Sequence, residues 1–279
     1  MKLKNILYSS AVVAVAALFT ACSDIDENER FEYVKPASVN RAVLIEDFTG
    51  QNCVYCPNGT EIIEGLLKQY GEDHIIAVGM HSGPLGFKGS KKYVGLKTDI
   101  ADTYYNAWGV TTQPTATINR SVVLSDYTKW GAAVAIELQK EAKLSLNLTN
   151  TYDEASRQLT INVEAYGTDG NTDGKLTVWL LEDGVKAYQK DQSGYNYDYI
   201  HNHVFRANVT ADAWGDAISV KEGVKSEKSY TYTLPEEWNA DNVSVVAFVN
   251  GADNHNVEQV TKKACLLYTS PSPRDRSVS

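Results

Sequence analysis

The stretch FTGQNCVYCPNG, residues 48–59, places Cys53 and Cys56 three positions apart between two differently patterned segments. Before it, AVLIEDF (42–48) reads as a buried strand. After it, Ile62, Ile63, Leu66, Leu67 and Tyr70 fall on one face at helical spacing, and Gly71 marks the stop. A strand, a CxxC and a helix admit three chemistries: a redox pair, half of a zinc site, or a structural bridge. Zinc needs four ligands, and the chain offers a single such pair, with His74, His81, His201 and His203 at no finger-like spacing. Cysteine at a helix N-terminus faces unpaired backbone N–H groups and the positive end of the helix dipole, which stabilise thiolate. On that reading Cys53 is the exposed nucleophile and Cys56, one turn into the helix, its partner. A permanent bridge remains the competing reading.

The compartment decides whether a disulfide persists, and both ends of the chain bear on it. Lys2 and Lys4 precede an apolar stretch from Ile6 to Phe19 and then Thr20-Ala21-Cys22. The stretch is shorter than the roughly 20 residues a spanning helix needs, so residues 1–21 are expected to be a signal peptide. Small residues before a cysteine resemble a bacterial lipoprotein processing site, with Cys22 the lipidated first residue. Residues 22–40 then form an acidic tether containing Asp24, Asp26, Glu27, Glu29 and Glu32 against Arg30. Acidic residues directly after the lipid-bearing cysteine resemble an export signal, so a lipid anchor in the outer membrane is expected, on its periplasmic or cell-surface face. At the other end, CLLYTSPSPRD (265–275) reads as the translation of a transposase-based sequencing adapter. Residues 265–279 are accordingly expected to be an artefact. Removing Cys22 and Cys265 leaves Cys53 and Cys56 as the available pair, outside the reducing cytosol. The net charge of −9 argues against nucleic acid as a partner.

Two modules are expected on the tether. In residues 41–143 strands alternate with helices: HIIAVGM (74–80) and ATINR (116–120) read as strands, Ile100 to Trp108 as a short helix, and Trp130, Val134 and Leu138 as the face of a last helix. Residues 82–97, rich in Gly and Lys, read as a loop. In residues 144–264 the period becomes two, as in Leu144/Leu146/Leu148, Leu159/Ile161/Val163 and Val243/Val245/Ala247/Val249. KLTVWLLE (175–182), YIHNHVF (199–205) and SYTYTL (229–234) add further strands, which together imply an antiparallel, immunoglobulin-like β-sandwich.

The first module resembles thioredoxin at three places in the right order. Asp47, six residues before Cys53, resembles the family's buried strand aspartate, which helps deprotonate the second cysteine. GVTTQPT (109–115) resembles the family's loop ending in a cis-proline, which implies that Pro114 packs against the disulfide and that Gln113 offers its backbone to a bound peptide. The chain departs from the family at Asn52, where thioredoxin has Trp, and at Val54-Tyr55, where it has Gly-Pro. These positions tune thiol pKa and access, so the direction of transfer stays open. The whole layout, with YIHNHVFR (199–206), resembles the outer membrane protein 28-related lipoproteins. That second resemblance implies a location more than a reaction; the thioredoxin-like site implies thiol–disulfide exchange on exported protein thiols or with a redox partner, without a cofactor or metal. The alternative is a non-enzymatic surface binding or adhesion lipoprotein with a structural disulfide.

Three weaker signals complete the reading. His201 and His203, two apart on an expected strand, share one face and are assigned to packing or hydrogen bonding rather than to a metal. Asp169, Asn171, Asp173 and Gly174 open like a calcium loop but lack its closing acid, and read as a hairpin turn. Tyr195, Tyr197 and Tyr199 read as the half-buried face of an edge strand, with an aromatic platform as the alternative.

Overall fold

The computed structural model describes residue 37 and residues 39–265. The expected signal peptide, Cys22, nearly all of the expected tether and residues 266–279 lie outside the described residues. In the first half, β1 (Val43–Thr49) leads through the CxxC loop into α1 (Cys56–Tyr70), followed by β2 (Ile75–His81), α2 (Asp99–Ala107), β3 (Thr115–Ile118), β4 (Val122–Leu124) and α3 (Trp130–Leu138). The second half contributes β5 (Leu144–Asp153), β6 (Gln158–Gly167), β7 (Thr172–Glu182), β8 (Val204–Asn208), β9 (Asp216–Val220), β10 (Lys225–Thr233), β11 (Val243–Gly251) and β12 (Val257–Ala264). Strand dominates the fold.

Local chemistry sets the helix ends. Pro57 sits in the first turn of α1, where its missing N–H costs nothing, and Gly71 closes the helix at a φ of 86° while its N–H donates to Leu67 O. The Thr98 side chain caps α2 by accepting from Ala101 N. Ile63 and Leu66 of α1 and Trp130 and Val134 of α3 cover Val43, Ile45, Ile75 and Ala77 on one sheet face. Ala101, Tyr104 and Tyr105 of α2 cover the other face with Leu44, Phe48, Ile76 and Val78. β1 is therefore buried at every position, Glu46, Asp47 and Thr49 included.

The sheet continues across the boundary expected near residue 143. Its order is β12-β11-β7-β8-β2-β1-β3-β4, with β9 also pairing β7. β1 and β2 run parallel; β3 runs antiparallel to β1. The join between halves is parallel and short: Val204 of β8 pairs Gly79 of β2, and Gly79 N donates to His203 O at 2.8 Å. A separate antiparallel sheet, β10-β6-β5, packs on β7, β9 and β11. The period-two alternation divides β7 and β11 between two cores. Val178, Leu180, Val245 and Ala247 face the three-stranded sheet, whereas Trp179, Leu181, Val246 and Phe248 join Leu44, Phe48 and Met80. Each such side chain contributes about 1.5–3 kcal/mol on burial.

An ion pair lies inside this shared core. Arg120 Nε and Nη2 donate to Glu46 Oε2 and Oε1 at 3.0 and 2.8 Å, with both side chains fully buried. Thr117 Oγ1 donates to Glu46 Oε2 at 2.6 Å. The guanidinium lies 5.0 Å from the Tyr104 ring centroid, 5.2 Å from Trp179 and 4.8 Å from Phe248. These aromatic faces supply cation–π attraction in place of water.

Two expectations change. YIHNHVF is not one strand: Ile200–His201 pairs Val185–Lys186, His203 turns the chain at a φ of 56°, and β8 begins at Val204. His201 and His203 consequently do not share a strand face. Tyr195 and Tyr197 lie on an exposed arm rather than a half-buried edge; a short hairpin, Gln189–Asp191 with Gly194–Asn196, carries the first of them. Residues 168–171 turn between β6 and β7, with Gly170 at a φ of 69°.

Candidate functional site: the Cys53–Cys56 disulfide

Cys53 and Cys56 are joined in a disulfide at the start of α1. The loop before it is folded tightly. Cys53 N donates to Gly50 O and Asn52 N to Leu85 O, both at 3.0 Å. Gly50 is required by this approach, since a Cβ there would lie 2.5 Å from the Leu85 carbonyl carbon and oxygen. Gln51 binds the loop that reads 82–97: its Oε1 accepts from Leu96 N at 3.0 Å, and its Nε2 donates to Val94 O at 3.0 Å and Tyr188 O at 3.2 Å.

The arm of the second half closes over the same loop. Gln189 Nε2 donates to Cys53 O and Gly50 O, Lys190 N donates to Gln51 O at 2.8 Å, and Tyr188 Oη lies 3.2 Å from Asn52 Oδ1. Cys53 and Cys56 are each 1% exposed. The expectation of an exposed Cys53 is therefore corrected: residues more than 130 positions downstream clamp its loop.

Behind the disulfide, a cavity of about 40 Å³ is lined by Asp47, Cys56, Tyr199, His81 and His201 among others. Asp47 is buried, its Oδ1 has no hydrogen-bond partner, and burial pushes its carboxyl up from 3.8 to about 8. His81 and His201 meet at 5.0 Å between ring centroids. Burial holds both below the usual imidazole range, His201 at about 4. The neighbouring imidazole and Arg206 depress His81 further.

The Gln113–Pro114 peptide is cis. Pro114 lies against the start of α1, where a Cβ at Gly59 would be 3.3 Å from Pro114 Cβ. The Gln113 side chain turns inward, Nε2 donating to Thr49 O at 2.6 Å and Ser82 O at 3.1 Å. Asp47 and Cys56 thus share one cavity, and Pro114 packs beside the helix that carries Cys56. Gln51 and Gln189 were not singled out by sequence, and His81 entered only as a zinc ligand at unsuitable spacing. The detectable hint was His81, a polar residue directly after a buried strand run.

Outside the cavity, Phe87, Tyr93, Tyr188, Tyr195 and Tyr197 surround a groove of about 220 Å³ that reaches Asn52. Tyr93 and Tyr197 stack at 5.6 Å and 23°. Among the described residues no group of three or more His, Cys, Asp or Glu could hold a metal, and no helix is long and apolar enough to cross a membrane.

A family model described as outer membrane protein Omp28 matches residues 101–266. HBP35 of Porphyromonas gingivalis matches in structure with a TM-score of 0.63 at 21% identity, over 82% of this chain and 76% of that one. A domain of the outer membrane lipoprotein Omp28 from Porphyromonas gingivalis matches with a TM-score of 0.31 at 23% identity, over 43% of this chain and 86% of that one. No curated protein matches the chain.

Proposed function

The chain belongs to the outer membrane protein Omp28 family, and on that premise we propose that it is a lipid-anchored protein whose first half is a thioredoxin-like module catalysing thiol–disulfide exchange on exported protein thiols. Its second half is an immunoglobulin-like sandwich whose arm covers the disulfide. The observation that carries the reading is Asp47, a buried carboxyl without a partner for Oδ1, lining the same cavity as Cys56. A purely structural disulfide has no use for an unpaired buried acid, which costs stability. Exchange does.

In the reduced protein the Cys53 thiolate attacks one sulfur of a client disulfide, forming a mixed disulfide and releasing the first client thiolate. Cys56 then loses its proton to the Asp47 carboxylate and attacks Cys53 Sγ, breaking the mixed disulfide and releasing the second client thiolate. The protein is oxidised by two electrons and the client reduced by two; the reverse sequence oxidises a client dithiol. The N–H groups of the first turn of α1 favour the thiolate. Because both cysteines are buried, the arm bearing Gln189 must move before a client can reach Cys53.

Burial of the two cysteines favours a second reading, in which the bridge braces the module and the protein binds without redox chemistry. Cys56→Ser separates the two. Exchange predicts client proteins trapped on Cys53 in a non-reducing gel, lost in the Cys53→Ser/Cys56→Ser double variant. Absence of any trapped species from a folded, exported Cys56→Ser protein would leave the brace.

A further inference from the structure

We propose that His81 and His201 form, with water in the cavity behind the disulfide, the route by which Asp47 exchanges its proton with solvent, so that the second half of the chain supplies a positioning residue for the chemistry of Cys56. This rests on the exchange reading above.

The argument begins with atoms that have no partner. Asp47 Oδ1, His81 Nδ1 and His201 Nε2 are all buried without a hydrogen-bond partner, and all three residues line one cavity. Buried polar atoms of this kind are satisfied by water where a cavity is polar and large enough, and about 40 Å³ admits it. The histidines come from different halves: His81 ends β2, and His201 is held in place by the pairing of Ile200–His201 with Val185–Lys186 and by backbone hydrogen bonding to Tyr188 and Ala187. Their rings meet edge to face, an arrangement that packing alone could satisfy with any aromatic pair. Imidazoles kept neutral each present one N–H and one lone pair, so they pass a proton along without holding a charge in the cavity.

The chemistry requires such a route. At neutral pH Asp47 already holds a proton, because burial disfavours its anion. It can take the Cys56 proton only after releasing its own. The Cys56 S–H bond then breaks as its sulfur bonds to Cys53 Sγ, the proton passes to Asp47, and it leaves by the cavity as the client thiolate departs.

Other titratable groups face this space. Glu64 of α1 is exposed at its rim, and Tyr199, raised chiefly by burial, hydrogen-bonds Thr60 and feels Glu64, Asp47 and Glu61. His203 lies beside Asp183 at 3.2 Å and feels Lys262 and Glu72, while Arg206 acts on His81 from β8.

The test uses the reduced soluble chain and 5,5′-dithiobis(2-nitrobenzoate), an aromatic disulfide whose thiolate is coloured. The first release reports attack by Cys53; the second, unimolecular, reports resolution by Cys56. In His201→Phe and in His81→Gln, each checked for native unfolding behaviour, the first phase should be unchanged. The second should slow by about 10-fold or more and lose the wild-type pH profile. Added imidazole should restore it in His201→Gly. A second phase with wild-type rate and pH profile in either folded variant overturns the route. A wild-type protein that gives no second release overturns the exchange reading itself, and the route with it.

Discussion

Gln189 Nε2 donates to the carbonyl of Cys53 at 2.9 Å and, from the same amide, to Gly50 at 3.2 Å. A side chain on the arm of the second half thereby holds the loop that carries Cys53.

Removing that side chain should expose the disulfide. Each hydrogen bond is worth about 0.5–1.5 kcal/mol net, so losing both, about 1–3 kcal/mol, in Gln189→Ala should populate the open loop about 5- to 150-fold more. The rate of reduction by dithiothreitol, followed by alkylation of the freed thiols, should rise by that factor. An unchanged rate would mean that the arm does not gate access.

Asp47 should leave a signature in stability against pH. Its folded pKa, about 8, exceeds the ordinary 3.8, so the unfolded chain releases this proton first. The contribution is intact below about pH 4 and is lost progressively up to about pH 8, at about 1.4 kcal/mol per pH unit. Asp47→Asn should therefore be more stable than wild type at pH 7, by a margin that shrinks on acidification and disappears near pH 4. Urea denaturation of both proteins across this range measures it; a gap that does not change with pH would contradict the assignment.

The Arg120–Glu46 pair predicts an asymmetry. Arg120→Met leaves a buried carboxylate without its partner and should cost about 3–5 kcal/mol. The double variant with Glu46→Met removes both charges and should be less destabilised than Arg120→Met alone. Additive losses in a denaturant series would show that the two side chains do not act as a pair.

How much of this was legible in the chain follows from which interactions are local. β1 and β2 read directly, because a strand buried on both faces shows apolar residues at consecutive positions, as in Val43-Leu44-Ile45 and Ile75-Ile76-Ala77-Val78, and α1 read from Ile63, Leu66 and Gly71. β12 did not. Its Glu258, Lys262 and Lys263 dilute the pattern, and it is held by antiparallel pairing to β11 from Ser244 to Asn250. A period of two put His201 and His203 on one face, an inference that fails once His203 adopts a positive φ. In the site, Cys53, Cys56 and Asp47 were visible from spacing and resemblance. Gln189 and the partnership of His81 with His201 were not, since each joins segments over a hundred residues apart and leaves no local period.

Anchoring is open to a direct experiment. If Cys22 carries lipid, Cys22→Ala should move the protein from the membrane fraction to the soluble one while the Cys53–Cys56 disulfide still forms. Retention of the variant on membranes after a salt wash would contradict a lipid anchor.

The reduction potential of the Cys53–Cys56 pair, measured by equilibration in glutathione or dithiothreitol redox buffers with alkylation of the free thiols, tests the central claim most directly. An unpaired buried acid beside Cys56 and a helix N-terminus favouring thiolate predict an exchangeable bond, between about −270 and −120 mV. A value below about −300 mV would mark the disulfide as a brace and contradict the account.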